Sequence, residues 1–232
     1  MKGTILLAED DDALSFVIKD SLEEVGYKVV SCGDGEAAIE QFQQKHFDIC
    51  LLDVNMPLKD GFAVAKKIRQ LTEVTPIIFI TAKSQEEDKI KGFSTGADDY
   101  VTKPFSMQEL IMRIEVFLKR TRKIKADNIQ EFHIGKLRFH YSELKILNEE
   151  NVATLLTQKE AELLKFFALH PNKILKRDEV LLHVWGKDDY FLGRSMDVFI
   201  TKLRKLLKPD ESIMIETLHG VGFRLNTPPP KG

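Results

Sequence analysis

Four short stretches in the first half of the chain each lead to a side chain that carries chemistry, and this pattern limits the fold more than any other feature. Ile5 to Ala8 runs into Glu9-Asp10-Asp11-Asp12, and Ile49-Cys50-Leu51-Leu52 ends on Asp53. Ile77 to Ile80 ends on Thr81, and Tyr100 to Thr102 precedes Lys103-Pro104. Continuous apolar runs of this length read as strands buried on both faces of a parallel sheet. In open α/β sheets, ligands sit at the carboxyl ends of the strands. Carboxylates, a hydroxyl and an ammonium group, each at the end of its own strand, are therefore expected to converge on one pocket. A charge at such a place is costly to bury alone, so its neighbours have to explain it.

Helical patterns fill the intervals. Ala13 to Val25 puts Leu14, Val17, Ile18, Leu22 and Val25 on one face, and Glu36 to Gln44, Phe62 to Leu71, Glu86 to Ser94 and Met107 to about Arg120 follow. With Val29 to Cys32 as a further strand, the alternation predicts a doubly wound α/β sheet with helices on both faces. The chain's 232 residues suffice for two such cores. No apolar run approaches the ~20 residues that cross a bilayer, and the N-terminus lacks an apolar signal core, so the expected location is the cytoplasm. Cys32 and Cys50, the only cysteines, have no metal or redox spacing and read as buried thiols. The overall charge of −2 hides an asymmetry: up to Arg120 there are 15 basic and 21 acidic residues, and beyond it 19 and 15. An acidic half and a basic half suggest different partners, the second a nucleic acid.

Glu9-Asp10, Asp53, Thr81 and Lys103-Pro104, with the turn Gly96-Ala97-Asp98-Asp99-Tyr100, resemble the receiver domain of bacterial two-component response regulators over about residues 3 to 120. The resemblance implies a (βα)5 fold whose Asp53 accepts a phosphoryl group from a sensor histidine kinase. It also implies Mg2+ held by Asp10, Asp53 and the Asn55 carbonyl, with Glu9 orienting a coordinated water. Lys103, behind a cis peptide, would pair with Asp53 and then with the phosphoryl group, while Thr81 and Tyr100 form the switch. The residue types fit independently, because a hard cation with oxygen ligands neutralises the charge on the transferring group. Aspartate-nucleophile phosphatases are a rival, but they need a second Asp two residues on as general acid, and Asn55 stands there. No enzyme activity is expected.

In the OmpR/PhoB branch of that family, Lys89, Asp98, Asp99, Glu109, Arg113 and Arg120 match positions of intermolecular salt bridges across a two-fold homodimer face. An isologous interface pairs unlike residues reciprocally. A solvated helix face is the alternative.

The second half opens with a basic run, Lys119 to Lys125, too poor in apolar residues for a core and read as a tether. Short alternating segments at Phe132 to Gly135, Leu137 to His140, Leu144 to Leu147 and Val152 to Thr154 predict a small antiparallel sheet. Thr157-Gln158-Lys159-Glu160 is a capping box before a helix, a second helix starts at Arg177-Asp178, and a third runs from about Ser195 to Leu207 with a basic face. Strands at Ile213 to Thr217 and Phe223 to Leu225 close a glycine-rich hairpin around His219. Three helices and a hairpin make a winged helix-turn-helix, an α+β domain that places a helix in the major groove of double-stranded DNA.

The same stretch resembles the OmpR/PhoB effector domain through Leu156 to Glu160, Val184-Trp185-Gly186, Arg194 to Val198 and Gly220 to Arg224. Thr201, Lys202, Arg204 and Lys205 are the candidates for bases or phosphates, and Arg194 and Arg224 for the DNA backbone. His219 occupies a wing position where the family often has arginine. The loop Trp185 to Gly193 corresponds to the segment that meets RNA polymerase in relatives; a simple surface loop is the alternative. The expected domains are 1–121 (receiver), 122–130 (linker), 131–227 (winged helix) and 228–232 (disordered tail). Two rivals stay open: constitutive DNA binding with a vestigial receiver, and an interaction module that never touches DNA.

Overall fold

Thr4–Ala8 (β1), Lys28–Cys32 (β2), Ile49–Asp53 (β3), Ile77–Thr81 (β4) and Asp99–Thr102 (β5) pair in parallel in the order β2-β1-β3-β4-β5. The computed structural model describes residues 2–82, 95–126, 131–186 and 190–228, with the backbone alone for 120–126 and 190–195. The expected helix over 86–94 lies outside the described residues. The chain divides into two units, Met1–Lys123 and Ile124–Gly232.

In the first unit β3 and β4 are buried at every residue, as strands covered on both faces must be. Helices Asp12–Glu24 (α1), Gly35–Gln44 (α2) and Gly61–Leu71 (α3) each begin behind an aspartate, Asp11, Asp34 and Asp60, whose side chain accepts amide hydrogens of the first turn. Such a cap stabilises a helix by about 1 kcal/mol and fixes where it starts. Ile5, Leu7, Leu51, Ile80, Leu110 and Phe117 are among the residues that fill the core between sheet and helices. The strand order reverses between β1 and β3, so a crevice opens at their carboxyl ends.

Met107–Ala126 (α4) continues six residues beyond the expected end at Arg120, so the basic run is helical backbone. Lysine, arginine and alanine favour helix, and a lack of apolar residues does not stop one that is already started.

The second unit opens with an antiparallel sheet of Glu131–Ile134 (β6), Leu137–His140 (β7), Lys145–Leu147 (β8) and Ala153–Leu155 (β9). Gln158–Ala168 (α5) follows, its capping box closed in both directions between Thr157 and Glu160. Ile174–Lys176 (β10), Arg177–Trp185 (α6), Tyr190–Leu207 (α7), Met214–Leu218 (β11) and Gly222–Asn226 (β12) complete it. Sequence periodicity does not reveal β10, which is three residues long yet turns the hairpin into a sheet of order β10-β12-β11. Gly222 allows this: a Cβ there would lie 2.0 Å from the Leu175 carbonyl oxygen. Phe167, Phe199 and Phe223, at most 1% exposed, anchor the core. Burying each stabilises the unit by roughly 1.5–3 kcal/mol.

Candidate functional site

Glu9 and Asp10 follow β1 directly, and Asp53 is the last residue of β3. One ligand oxygen from each of the three carboxylates lies within 4.8 Å of the others. Lys103, just past β5, brings its ammonium to 2.6 Å from Asp53 Oδ2 and 2.8 Å from Glu9. The Asn55 N–H donates to the other Asp53 oxygen at 2.9 Å. Glu9 and Asp53 are 1% and 4% exposed, whereas Asp10 faces solvent. Three carboxylates against one ammonium leave two negative charges uncompensated in a largely buried space. That donor set suits a hard divalent cation.

Burial pushes the Glu9 carboxyl above its ordinary value, and the Asp53 charge adds to the rise against a hydrogen bond from Lys103. Burial works against the Lys103 ammonium, but its hydrogen bonds to Asp53 and Glu9 outweigh that and hold it above the ordinary lysine range. Thr81 ends β4 fully buried, and its carbonyl accepts the Lys103 N–H at 2.8 Å. The Lys103-Pro104 peptide bond is cis. Tyr100 is buried on β5 with its ring centroid 5.2 Å from that of Phe79. Gly61 lets the start of α3 pack directly on the end of β3, because a Cβ there would lie 2.2 Å from the Asp53 carbonyl oxygen. Beside the pocket, a cavity of about 470 Å³ is lined by Leu14, Val17, Lys103, Pro104, Phe105 and Met107.

In the second unit α7 buries Met196, Phe199, Ile200, Leu203 and Leu207 and exposes Thr201, Arg204 and Lys205. Thr201 donates its hydroxyl to the Asp197 carbonyl at 2.8 Å. Lys202 stands 3.5 Å from Glu160 of the capping box. The Arg204 guanidinium reaches β11, and Arg224 on β12 pairs with Glu216 at 2.6 Å. His219 is exposed in the turn between β11 and β12. The Arg194 side chain lies outside the described residues.

The sequence matches the response regulator receiver domain over residues 5–115 and the C-terminal domain of transcriptional regulatory proteins over 150–225. It is 47% identical to transcriptional regulatory protein RprY of Bacteroides fragilis over 230 residues, covering 99% of this chain and 97% of that one. It is 34% identical to the phosphate regulon transcriptional regulatory protein PhoB of Escherichia coli over 230 residues, 98% of this chain and 99% of that one. The crystal structure of DrrB, an OmpR/PhoB homologue from Thermotoga maritima, aligns over 97% of this chain and 100% of that one with a TM-score of 0.52 and 26% identity. The chain is an OmpR/PhoB-family response regulator. It is a two-component transcription factor of a non-enzymatic family, with an acidic receiver pocket of Glu9, Asp10 and Asp53. A kinase partner and DNA follow from its two domains. Among the described residues, no helix is long and apolar enough to cross a membrane.

The regulator departs from expectation at Asp98. This side chain, assigned to the dimer face, is 1% exposed and turned inward, 2.7 Å from Arg69 on α3, and it also accepts the Ile77 N–H at 2.9 Å. Arg69 further donates to the carbonyls of Gly96 and Thr75. A carboxylate so buried and paired is a fastener between α3 and the entries to β4 and β5, not a surface charge. Asp99, Glu109 and Arg113 do come together: Arg113 lies 2.7 Å from each carboxylate within the same chain. Burial disfavours the Arg113 charge, but Asp99 and Glu109 more than restore it. Lys89 lies outside the described residues, as does the Arg120 side chain. Arg69 went unread because its partner is 29 residues away and no local pattern marks the contact.

Proposed function

We propose that Asp53 of this regulator takes a phosphoryl group from the phosphohistidine of a sensor kinase. One carboxylate oxygen attacks phosphorus, the P–N bond breaks, and the imidazole nitrogen keeps the electron pair and takes up a proton. A carboxylate has about four lone-pair directions, so an Asp53 that accepts from Lys103 and Asn55 still has one to attack with. Mg2+, held by Asp10, Asp53 and the Asn55 carbonyl with Glu9 orienting a coordinated water, would neutralise charge on the transferring oxygens. Lys103 holds Asp53 in place beforehand and afterwards pairs with a phosphoryl oxygen. Thr81 donates its hydroxyl to the same group, and Tyr100 shifts with it. The apolar cavity beside Lys103 offers the donor protein a surface to rest on, since that protein has to cover the mouth of this pocket. The single observation that carries the reading is the meeting of Glu9, Asp10, Asp53 and Lys103 from three strand ends.

Phosphorylation adds about 1.5–2 negative charges, which favours a receiver homodimer built on Lys89, Asp99, Glu109, Arg113 and Arg120. The dimer raises the effective concentration of two winged helices on paired DNA half-sites, where Lys202, Lys205, Arg194, Thr201, His219 and Arg224 face the duplex. The loop at 185–193 meets RNA polymerase, residues 122–130 act as the linker, and the protein works in the cytoplasm. Selection from random duplexes with and without acetyl phosphate and Mg2+ tests the whole reading. It is expected to return paired half-sites enriched by phosphorylation. Equal recovery in both states would point to constitutive binding, and recovery of none to a module that does not bind DNA.

A further inference from the structure

We propose that Arg204 is a positioning residue that fixes recognition helix α7 to wing strand β11 and does not itself contact DNA. This rests on the DNA-binding reading of the second unit and reassigns a residue that sequence alone puts among the base or phosphate contacts. Arg204 Nε donates to the Ile215 carbonyl at 2.8 Å, and Nη2 donates to Thr217 Oγ1 at 2.7 Å. The Ile215 carbonyl and the Thr217 hydroxyl lie two residues apart on β11, within the span of one guanidinium group. Among the described residues β11 is an edge strand, paired with β12 alone, so half of its carbonyls face away from the sheet. The planar guanidinium fork spans such a carbonyl and a neighbouring hydroxyl in a way a lysine ammonium does not.

A second arginine links α7 to the other strand of the wing hairpin. Arg177 on α6 lies 2.9 Å from Asp197 on α7, and its guanidinium sits 5.0 Å from the Phe223 ring on β12. Recognition helix and wing are thus fastened at Arg204, and again through Arg177. Two donors of Arg204 are directed at the wing backbone and hydroxyl, which takes them from any phosphate. Lys205, the next residue, is exposed and serves as the comparison. With the angle between helix and wing set before binding, a duplex has to satisfy both at one fixed spacing.

The test uses the full chain and the duplex selected by the wild type; if none is selected, the DNA-binding reading fails, not this one. R204K keeps the charge and loses the fork. It is expected to bind at least tenfold more weakly, with an unchanged slope of log affinity against log salt. Changing the bases at the wing edge of the site, a loss of roughly tenfold in the wild type, is expected to cost R204K little, while changes under the helix cost it as before. Amide exchange in Ile215–Leu218 should quicken. K205Q, in contrast, should lower the salt slope by about 0.9, the signature of one lost phosphate contact. Near-wild-type binding by R204K, together with a slope drop of about 0.9 for R204Q, would overturn the proposal and make Arg204 a phosphate contact.

Discussion

The receiver pocket and the DNA-reading face both depend on charged side chains, but they place them in opposite ways. In the pocket, Glu9, Asp53 and Lys103 come from separate strand ends, and both carboxylates are nearly sealed from water. On α7 and the wing, Arg204 and Arg224 lie near the surface and pair within their own unit. A buried charge is ruled by desolvation, so its partners decide whether the fold tolerates it. An exposed pair contributes little to stability, and its value lies in geometry. Receiver substitutions should therefore act on stability and ion binding, and wing substitutions on DNA recognition with the fold left nearly intact.

The largest effect is expected at Asp98. Replacement by alanine leaves Arg69 buried without its carboxylate, and urea denaturation should show a loss of about 3–5 kcal/mol. A loss below about 1 kcal/mol would mean that water reaches Arg69 and that the pair behaves like a surface one. Gly61→Ala forces a methyl group against the Asp53 carbonyl and should cost about 1–3 kcal/mol while weakening divalent binding. Wild-type Mg2+ affinity in that variant would show that the strand end yields without disturbing the pocket. Thr157→Ala, which removes the cap of α5, should cost about 1 kcal/mol in thermal melts.

The pocket should also leave a mark on pH dependence. The Glu9 carboxyl is raised, so the folded state holds that proton more tightly than the unfolded chain. The resulting stability is complete below the unfolded value, near 4.5, and is lost as pH rises through the raised folded value. In metal-free protein, Glu9→Gln should flatten that decline, and Mg2+ should stabilise the wild type more as pH rises; parallel profiles for the two proteins would contradict this. Lys103→Met removes a cation from the pocket and should tighten Mg2+ binding several-fold in calorimetry. The smallest stability effect is expected on the wing, where Arg224→Ala should leave the melting temperature nearly unchanged. A large drop there would erase the contrast between the two regions.

The same contrast explains what could be read from the sequence. Buried strands announce themselves as apolar runs, so the ends of β1, β3 and β4 were legible, and with the first two the meeting of Glu9, Asp10 and Asp53. The cap of α5 was legible, because Thr157-Gln158-Lys159-Glu160 precedes a periodic segment, whereas the aspartates that cap α1, α2 and α3 went unread. Asp98 was not, because a carboxylate in a turn looks the same whether it faces solvent or a distant arginine. Nor was Arg204: helical spacing puts it on the outer face of α7, but only the packed wing supplies Ile215 and Thr217 as its partners. The extension of α4 to Ala126 was missed because a polar composition was taken as the end of a helix, which composition alone does not determine.

Labelling of Asp53 tests the central claim most directly. Incubated with acetyl phosphate and Mg2+, the wild-type chain should gain the mass of one phosphoryl group, and the gain should disappear with a chelator. Asp53→Asn, which keeps the shape and removes the nucleophile, should gain none. Equal labelling of the two proteins would contradict the account, because the strand-end pocket would then not be where the phosphoryl group is received.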